Sequence, residues 1–244
     1  MLQYARAAGE PIDPLDLYTK DERRREDRPW VMLNMISTLD GGTAVSGKSS
    51  ELGDDDDSEL FKAIRTVPDV ILVGAATAAA EDYRPVTLDA ERRERRAELG
   101  KAETPTLAIV SGRLSVNPDA RLFGDPDHKP LLITSTNADP SKLVLIGDSA
   151  DVVILPDLDP TTILNHLGAA RVVLLEGGPT LNGQFARDGL IDEINLTTSP
   201  TLLSGDSARI VRGPQVIPPQ TMTIDRVLLG EHLLFVRYLR KKQD

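Results

Sequence analysis

The sequence predicts an α/β protein with a mostly parallel central sheet, helices on both of its faces, and antiparallel strands at the C-terminal end. Two observations carry this. Short apolar runs, each the length of a buried strand, recur along most of the chain and alternate with helix-like or turn-rich segments. Beyond residue 193 the apolar runs continue, but no helix pattern separates them, as expected of antiparallel strands that complete the sheet.

Taken in order, residues 1–28 read as a peripheral segment ahead of a single domain over residues 29–244. The run Lys20-Asp21-Glu22-Arg23-Arg24-Arg25-Glu26-Asp27-Arg28 mixes both signs, which predicts a solvated surface helix or lead-in. Trp30-Val31-Met32-Leu33-Asn34-Met35-Ile36 is the first strand, closed by the turn signal Leu39-Asp40-Gly41-Gly42. Asp54, Asp55, Asp56 and Asp57 precede Leu60, Phe61, Ile64 and Val67, which are spaced for one helix face. Acidic residues complement the dipole at a helix start, and that is how the four aspartates read. Further strands are expected at residues 70–74, 106–110, 130–134, 152–155 and 171–176. Residues 88–100, dense in arginine and glutamate, predict an exposed helix, and residues 161–167 a short one. Gly177-Gly178-Pro179 leads into a helix through Ala186, with proline in the first turn where no N–H is needed. Strands at 194–198, 222–229 and 233–239 complete the chain.

Composition excludes several classes. A net charge of −10 disfavours nucleic acid as a general partner. The chain has no cysteine, so disulfide scaffolds, thiolate metal sites and cysteine nucleophiles are ruled out, and no metal site is expected. No apolar run is long enough to span a bilayer, and the polar first residues do not read as a signal peptide. The expected compartment is the cytoplasm.

Ligands of a parallel α/β sheet collect at the carboxyl ends of its strands, and three strand exits carry unusual residues. Glu176-Gly177-Gly178-Pro179-Thr180-Leu181 ends a buried strand in a carboxylate and opens a helix through two glycines. Its free N–H groups suit a pyrophosphate. By itself the motif equally admits a plain glycine turn, and it is not the dinucleotide fingerprint. Gly74-Ala75-Ala76-Thr77 leaves room beside a strand end, although close packing by alanine explains it too. Ser111-Gly112-Arg113 offers a hydroxyl, an open backbone and a guanidinium, as a phosphate monoester such as the 2′-phosphate of NADPH requires, or else forms an ordinary polar turn. Glu176 needs a partner because a carboxylate at a buried strand end is costly alone. Asp40 is a second candidate catalytic acid, although aspartate before glycine is first a turn signal.

Together and in this order, the motifs resemble one family. They are Thr38-Leu39-Asp40-Gly41, Ser46-Gly47 with Ser49, Arg65, Val73-Gly74 with Thr77, Ser111, the Glu176–Leu181 stretch, Gly189-Leu190-Ile191-Asp192-Glu193 and Ser199-Pro200. The family is the reductase domain of the bifunctional riboflavin-biosynthesis deaminase–reductase. The resemblance runs from about Trp30 to the C-terminus. It implies a dihydrofolate-reductase-like, three-layer α/β/α fold, NADPH as cofactor, a small heterocyclic substrate and a homodimer. Gly74, Thr77, Glu81, Ser111, Arg113, Gly177, Gly178, Pro179, Thr180 and Leu181 would contact the cofactor. Asn34, Ser49, Arg65 and Glu176 would face substrate. The implied reaction passes hydride from NADPH to the ribose carbon bearing the amine of a 5-amino-6-(5-phosphoribosylamino)uracil. The zinc deaminase partner needs cysteine ligands that this chain lacks.

Departures from the family pattern cluster on the substrate side. Leu88 stands at an expected arginine, Glu51 at an expected aromatic, and Asn34 where many bacterial members have lysine. Arg84 could restore the lost positive charge from a shifted position. Two further readings therefore stand beside the first. One is a dihydrofolate or pterin reductase, with Asp40 or Glu176 addressing the ring's amino group. The other is an NADPH-binding protein without turnover.

Overall fold

The computed structural model describes residues 11–241. Its elements run α1 (Pro14–Thr19), β1 (Trp30–Thr38), α2 (Asp55–Thr66), β2 (Val70–Gly74), α3 (Ala75–Ala80), α4 (Ala90–Glu98), β3 (Thr106–Val110), β4 (Leu131–Ser135), α5 (Pro140–Ile146), β5 (Asp151–Leu155), α6 (Pro160–His166), β6 (Val172–Leu175), α7 (Pro179–Arg187), β7 (Glu193–Ser199), β8 (Met222–Leu229) and β9 (Leu234–Arg240). All nine strands join one sheet in the order β5-β4-β3-β2-β6-β1-β7-β9-β8. Pairing is parallel from β5 through β7, then antiparallel at β7–β9 and β9–β8. The predicted fold class is thus observed, including the antiparallel end.

Why these residues make this sheet follows from burial. The four residues of β6 and the first four of β2 are buried, as strands covered on both faces must be. Leu60 and Ile64 of α2, Tyr18 of α1, Ala78 of α3 and Ile146 of α5 pack on one face with Met32, Ile71, Leu107 and Leu174. Ile163 and Leu164 of α6, with Leu181 and Phe185 of α7, pack on the other with Val31, Leu72, Ala108 and Leu175. Because side chains alternate along a strand, each of β1 to β6 contributes to both cores.

Two charged segments differ from their sequence reading. The 20–28 run is solvated over most of its length, but Arg23 is buried. Its guanidinium donates to both carboxylate oxygens of Glu193, at 2.8 and 3.0 Å, and Arg237 does the same from the opposite side at 2.9 and 3.0 Å. Burial alone would raise the Glu193 carboxyl, but the two arginines outweigh it and hold the group down at about 2. Arg25 and Arg28 likewise reach Asp192. A segment rich in charge is therefore pinned to the start of β7. On α4, read as exposed, Arg96 is buried and donates to the carbonyls of Thr66, Pro68 and Ala102. Those carbonyls lie at helix and loop ends without backbone partners, so the arginine satisfies groups that would otherwise be orphaned.

Candidate active site

The carboxyl ends of β2, β6 and β1 meet at the middle of the sheet, where Glu176 continues β6. Its backbone N–H still bonds to the Leu72 carbonyl at 3.0 Å, which fixes the side chain on the face covered by α2. Arg65, in the last turn of α2, clamps it: Nε donates to Oε1 at 2.8 Å and Nη2 to Oε2 at 2.6 Å. Tyr83 adds a third bond, its hydroxyl donating to Oε2 at 2.6 Å. Burial pushes the Tyr83 phenol well above 10, and the Glu176 charge pushes it the same way, so Oη keeps its proton. For Arg65, burial acts to lower the guanidinium, and Glu176 overcomes it and raises it. The guanidinium also lies over the ring of Phe61, 4.3 Å from its centre, and over that of Tyr83, 5.4 Å from its centre. Glu176 and Arg65, read separately from the sequence, are thus one bidentate pair of a buried carboxylate and a half-buried guanidinium. Tyr83 had no assigned role. Its only sequence signal was its place in the stretch that departs from the family pattern.

Beside this cluster the backbones of two strand exits come together. Gly74 N–H donates to the Gly177 carbonyl at 2.7 Å, and the Gly177–Gly178 peptide is cis. A Cβ added at Gly178 would lie 2.4 Å from Thr77 Oγ1, and one at Gly74 would lie 3.5 Å from the Gly178 nitrogen. Glycine at Gly178 is therefore a requirement of close approach. Gly178 is also the N-cap of α7 and supplies no side-chain cap, so the first-turn N–H groups of Thr180 and Leu181, after Pro179, remain free of a capping group. A glycine cradle beside a helix start fits the diphosphate of a nicotinamide dinucleotide.

The other predicted residues fall in three places. Glu81, at the end of α3, accepts the Ser49 N–H at 2.8 Å, so the loop expected to face substrate is tied to the helix expected to face cofactor. Ser111 is buried, and its hydroxyl accepts the Ser115 N–H at 2.8 Å, shaping the loop that carries exposed Arg113. Asn34 is half-buried on β1, opposite Asn195 of β7. Arg84 is exposed and has no ion pair among the described residues. Asp40 stands apart from Glu176 in its contacts: exposed, it accepts from Thr38 Oγ1 and from the Leu203 and Ser204 N–H groups, and the Thr38 and Ser204 bonds hold it at about 2. It pins one loop to another.

One acid that read only as part of a helix start has a second setting. Asp57, on the first turn of α2, accepts the hydroxyl of Thr197 on β7 at 2.8 Å. Burial raises its carboxyl, the Thr197 bond opposes that rise, and the Asp54 charge adds to it.

The sheet order and its antiparallel end define the dihydrofolate-reductase-like fold class. The fold is similar to that of dihydrofolate reductase from Enterococcus faecalis, with a TM-score of 0.51 at 12% identity over 87% of this chain and 97% of that one. It is more similar to a pyrimidine reductase-like protein from Corynebacterium diphtheriae, with a TM-score of 0.78 at 25% identity over 88% and 93% of the two chains. In sequence the chain is 29% identical over 192 residues to the 2,5-diamino-6-ribosylamino-4(3H)-pyrimidinone 5′-phosphate reductase of Archaeoglobus fulgidus, covering 76% of this chain and 87% of that protein. Against the riboflavin biosynthesis protein RibD of Mycobacterium tuberculosis it is 29% identical over 184 residues and spans 45% of that longer protein. The pattern of the RibD C-terminal domain matches residues 29–228, and the chain belongs to that family.

Proposed function

We propose that this protein uses NADPH to reduce the ribosyl group of a 6-ribosylaminopyrimidine 5′-phosphate to a ribityl group. The observation that carries the reading is one of position: a glycine cradle suited to a dinucleotide lies directly beside the half-buried Arg65–Glu176–Tyr83 cluster. When bound, NADPH would supply the hydride for the sugar carbon bearing the amine, whose ring C–O bond opens with uptake of one proton, leaving NADP⁺. Gly74, Thr77, Gly177, Gly178 and the first turn of α7 would hold the cofactor diphosphate, while Ser111 and Arg113 would face the 2′-phosphate. Glu176 has both oxygens engaged, so it acts through the pair: it fixes the Arg65 fork and keeps the proton on Tyr83 Oη. Asn34 and Ser49 would face the ring. Arg84 would take the 5′-phosphate, since it is exposed and free of other pairs among the described residues.

A second reading, reduction of dihydrofolate or another pterin, is favoured by one observation. Leu88, at the expected arginine, is buried and offers a phosphate nothing. The test is NADPH oxidation by the purified protein, followed by absorbance, with ribosylaminopyrimidine phosphates and dihydrofolate offered separately. Turnover of a ribosylaminopyrimidine supports the first reading, and turnover of dihydrofolate alone replaces it with the second. NADPH binding without oxidation of either would mean a cofactor-binding protein without turnover.

A further inference from the structure

Asn182 of α7 lies just beyond the glycine cradle and is fully buried, and one of its two polar atoms has no partner. Its Nδ2 donates to the Ile210 carbonyl at 2.8 Å and lies 3.4 Å from Met35 Sδ. That carbonyl fixes the orientation of the amide, because the reverse one would set two acceptors against each other. Oδ1 is therefore held on the other side, where it accepts no hydrogen bond from the described residues. Buried polar groups are nearly always paired, and leaving an acceptor bare is costly. An orphaned acceptor beside a ligand seat calls for a donor that the ligand brings.

The sheet shows where that donor would arrive. β1 pairs with β6 only as far as Leu33 and Leu175. From there β1 stays with β7 to Thr38, whereas Glu176 and Gly177 stay with β2, through the Glu176 N–H to Leu72 and the Gly74 N–H to Gly177. A cleft opens between the two. Side chains alternate along β1, so Asn34 lines the cleft on the α2 side with Met32, and Met35 lines it on the α7 side with Leu33. On that second side a Cβ at Gly177 would lie 3.7 Å from Met35 Sδ, 3.7 Å from Asn182 Nδ2 and 4.0 Å from Asn182 Oδ1. All three are ordinary contacts, so a methyl-sized space is bounded by the thioether and the amide. Gly177 and Asn182 are buried and Met35 is half-buried, which makes the unbranched, adaptable Met35 side chain the movable wall. The proposed diphosphate seat lies on the α7 side and the Arg65–Glu176 pair on the α2 side, so the reacting end of a dinucleotide has to enter this cleft.

We infer that Asn182 Oδ1 accepts the carboxamide N–H of the nicotinamide, with Met35 turning aside to admit it, and so fixes which way round the ring lies in the cleft. The carboxamide carries the only hydrogen-bond donor on a reduced nicotinamide ring. A half-turn of that ring about its N1–C4 axis moves the carboxamide to the opposite edge and turns the other C4 hydrogen toward the α2 side. An acceptor on one edge therefore selects one of the two hydrogens for transfer. The inference rests on the NADPH reading of the cradle, and its test does not depend on turnover.

The experiment is a calorimetric titration with three ligands. They are NADPH, its reduced 3-acetylpyridine analogue, in which a methyl group replaces the amide nitrogen, and 2′-phospho-ADP-ribose, which lacks the ring. The wild type should bind NADPH about 10-fold more tightly than the analogue, the order expected for one hydrogen bond to a buried acceptor. Asn182→Leu, close in size but without the acceptor, should bind NADPH and the analogue equally and keep its affinity for 2′-phospho-ADP-ribose. Should Asn182→Leu fail to fold, Met35→Ile, whose branched side chain is restricted in χ1, should weaken NADPH by about 10-fold and leave 2′-phospho-ADP-ribose unchanged. Equal affinity of the wild type for NADPH and the analogue, a preference that survives in Asn182→Leu, or an equal weakening of all three ligands in the variants would overturn the inference. Absence of binding by any of the three would overturn it together with the NADPH reading. The expected preference without NADPH oxidation by any ribosylaminopyrimidine would instead sink the substrate reading alone.

Discussion

Gly178→Ala tests the cofactor seat. The added Cβ would lie 2.4 Å from Thr77 Oγ1, far inside contact distance, and 3.7 Å from Thr77 Cβ, which is an ordinary contact. The clash is therefore with one atom. Relieving it in place means moving the Gly177–Gly178 backbone away from β2, to which the Gly177 carbonyl is bonded, and overpacking of this kind costs about 1–3 kcal/mol. If that shift spoils the geometry offered to a diphosphate, NADPH affinity falls by about 5- to 150-fold. Thr77→Ala removes the obstructing oxygen. Alone it costs one hydrogen bond to the cofactor, about 0.5–1.5 kcal/mol. In the double variant the new methyl group fits where Oγ1 was, so NADPH should bind more tightly than to Gly178→Ala, a coupling of about 1–2 kcal/mol. Fluorescence titration of NADPH on the four proteins, with thermal melts as a check on folding, measures the cycle. Strictly additive losses would show that the two residues do not meet. Unchanged affinity in Gly178→Ala would place the cofactor elsewhere.

Two other perturbations follow from the same geometry. Glu193 titrates at about 2 when folded against an ordinary 4.5, so its ionised form stabilises the fold above pH 4.5, and that stability disappears as pH falls toward 2. The wild type should lose roughly 3 kcal/mol across this window that Glu193→Gln does not lose, as read by urea unfolding at pH 6 and at pH 2 to 3; parallel pH profiles would contradict the assignment. Arg84→Ala should raise KM for the phosphorylated substrate by at least about 10-fold and leave the dephosphorylated substrate and NADPH untouched, since the exposed guanidinium is proposed to meet the phosphate alone; an equal effect on both substrates would remove it from that role.

The parallel strands were legible because burial on both faces demands an uninterrupted apolar run, and β2, β3 and β6 are such runs. The start of α7 was legible because Gly178 and Pro179 have few other uses at a strand exit. Three helices left no comparable trace. In α3, AATAAA has no large apolar residue to set a period, and α1 and α5 are only a turn or two long. The buried arginines were hidden for a different reason. Arg23 finds Glu193 at a separation of 170 residues, and Arg96 is held by carbonyls some 30 residues back, so a local charge pattern cannot distinguish either from a solvated neighbour.

The acidic run at the start of α2 shows how much chemistry a local pattern can conceal while being read correctly. Asp54 caps the helix by accepting the Asp57 N–H. Asp55 faces solvent, and Asp56 accepts the Glu231 N–H from the β8–β9 turn. Asp57 turns inward to Thr197, 140 residues away. A helix rotates about 100° per residue, so four like charges in a row cannot share one environment. That rotation argues against a shared cation site for the run, and it also delivers a single carboxylate to the flank of α2 that carries Phe61 and Arg65. The sequence holds the rotation but not the strand that meets it. Which of the four aspartates turns toward the sheet is therefore decided by β7.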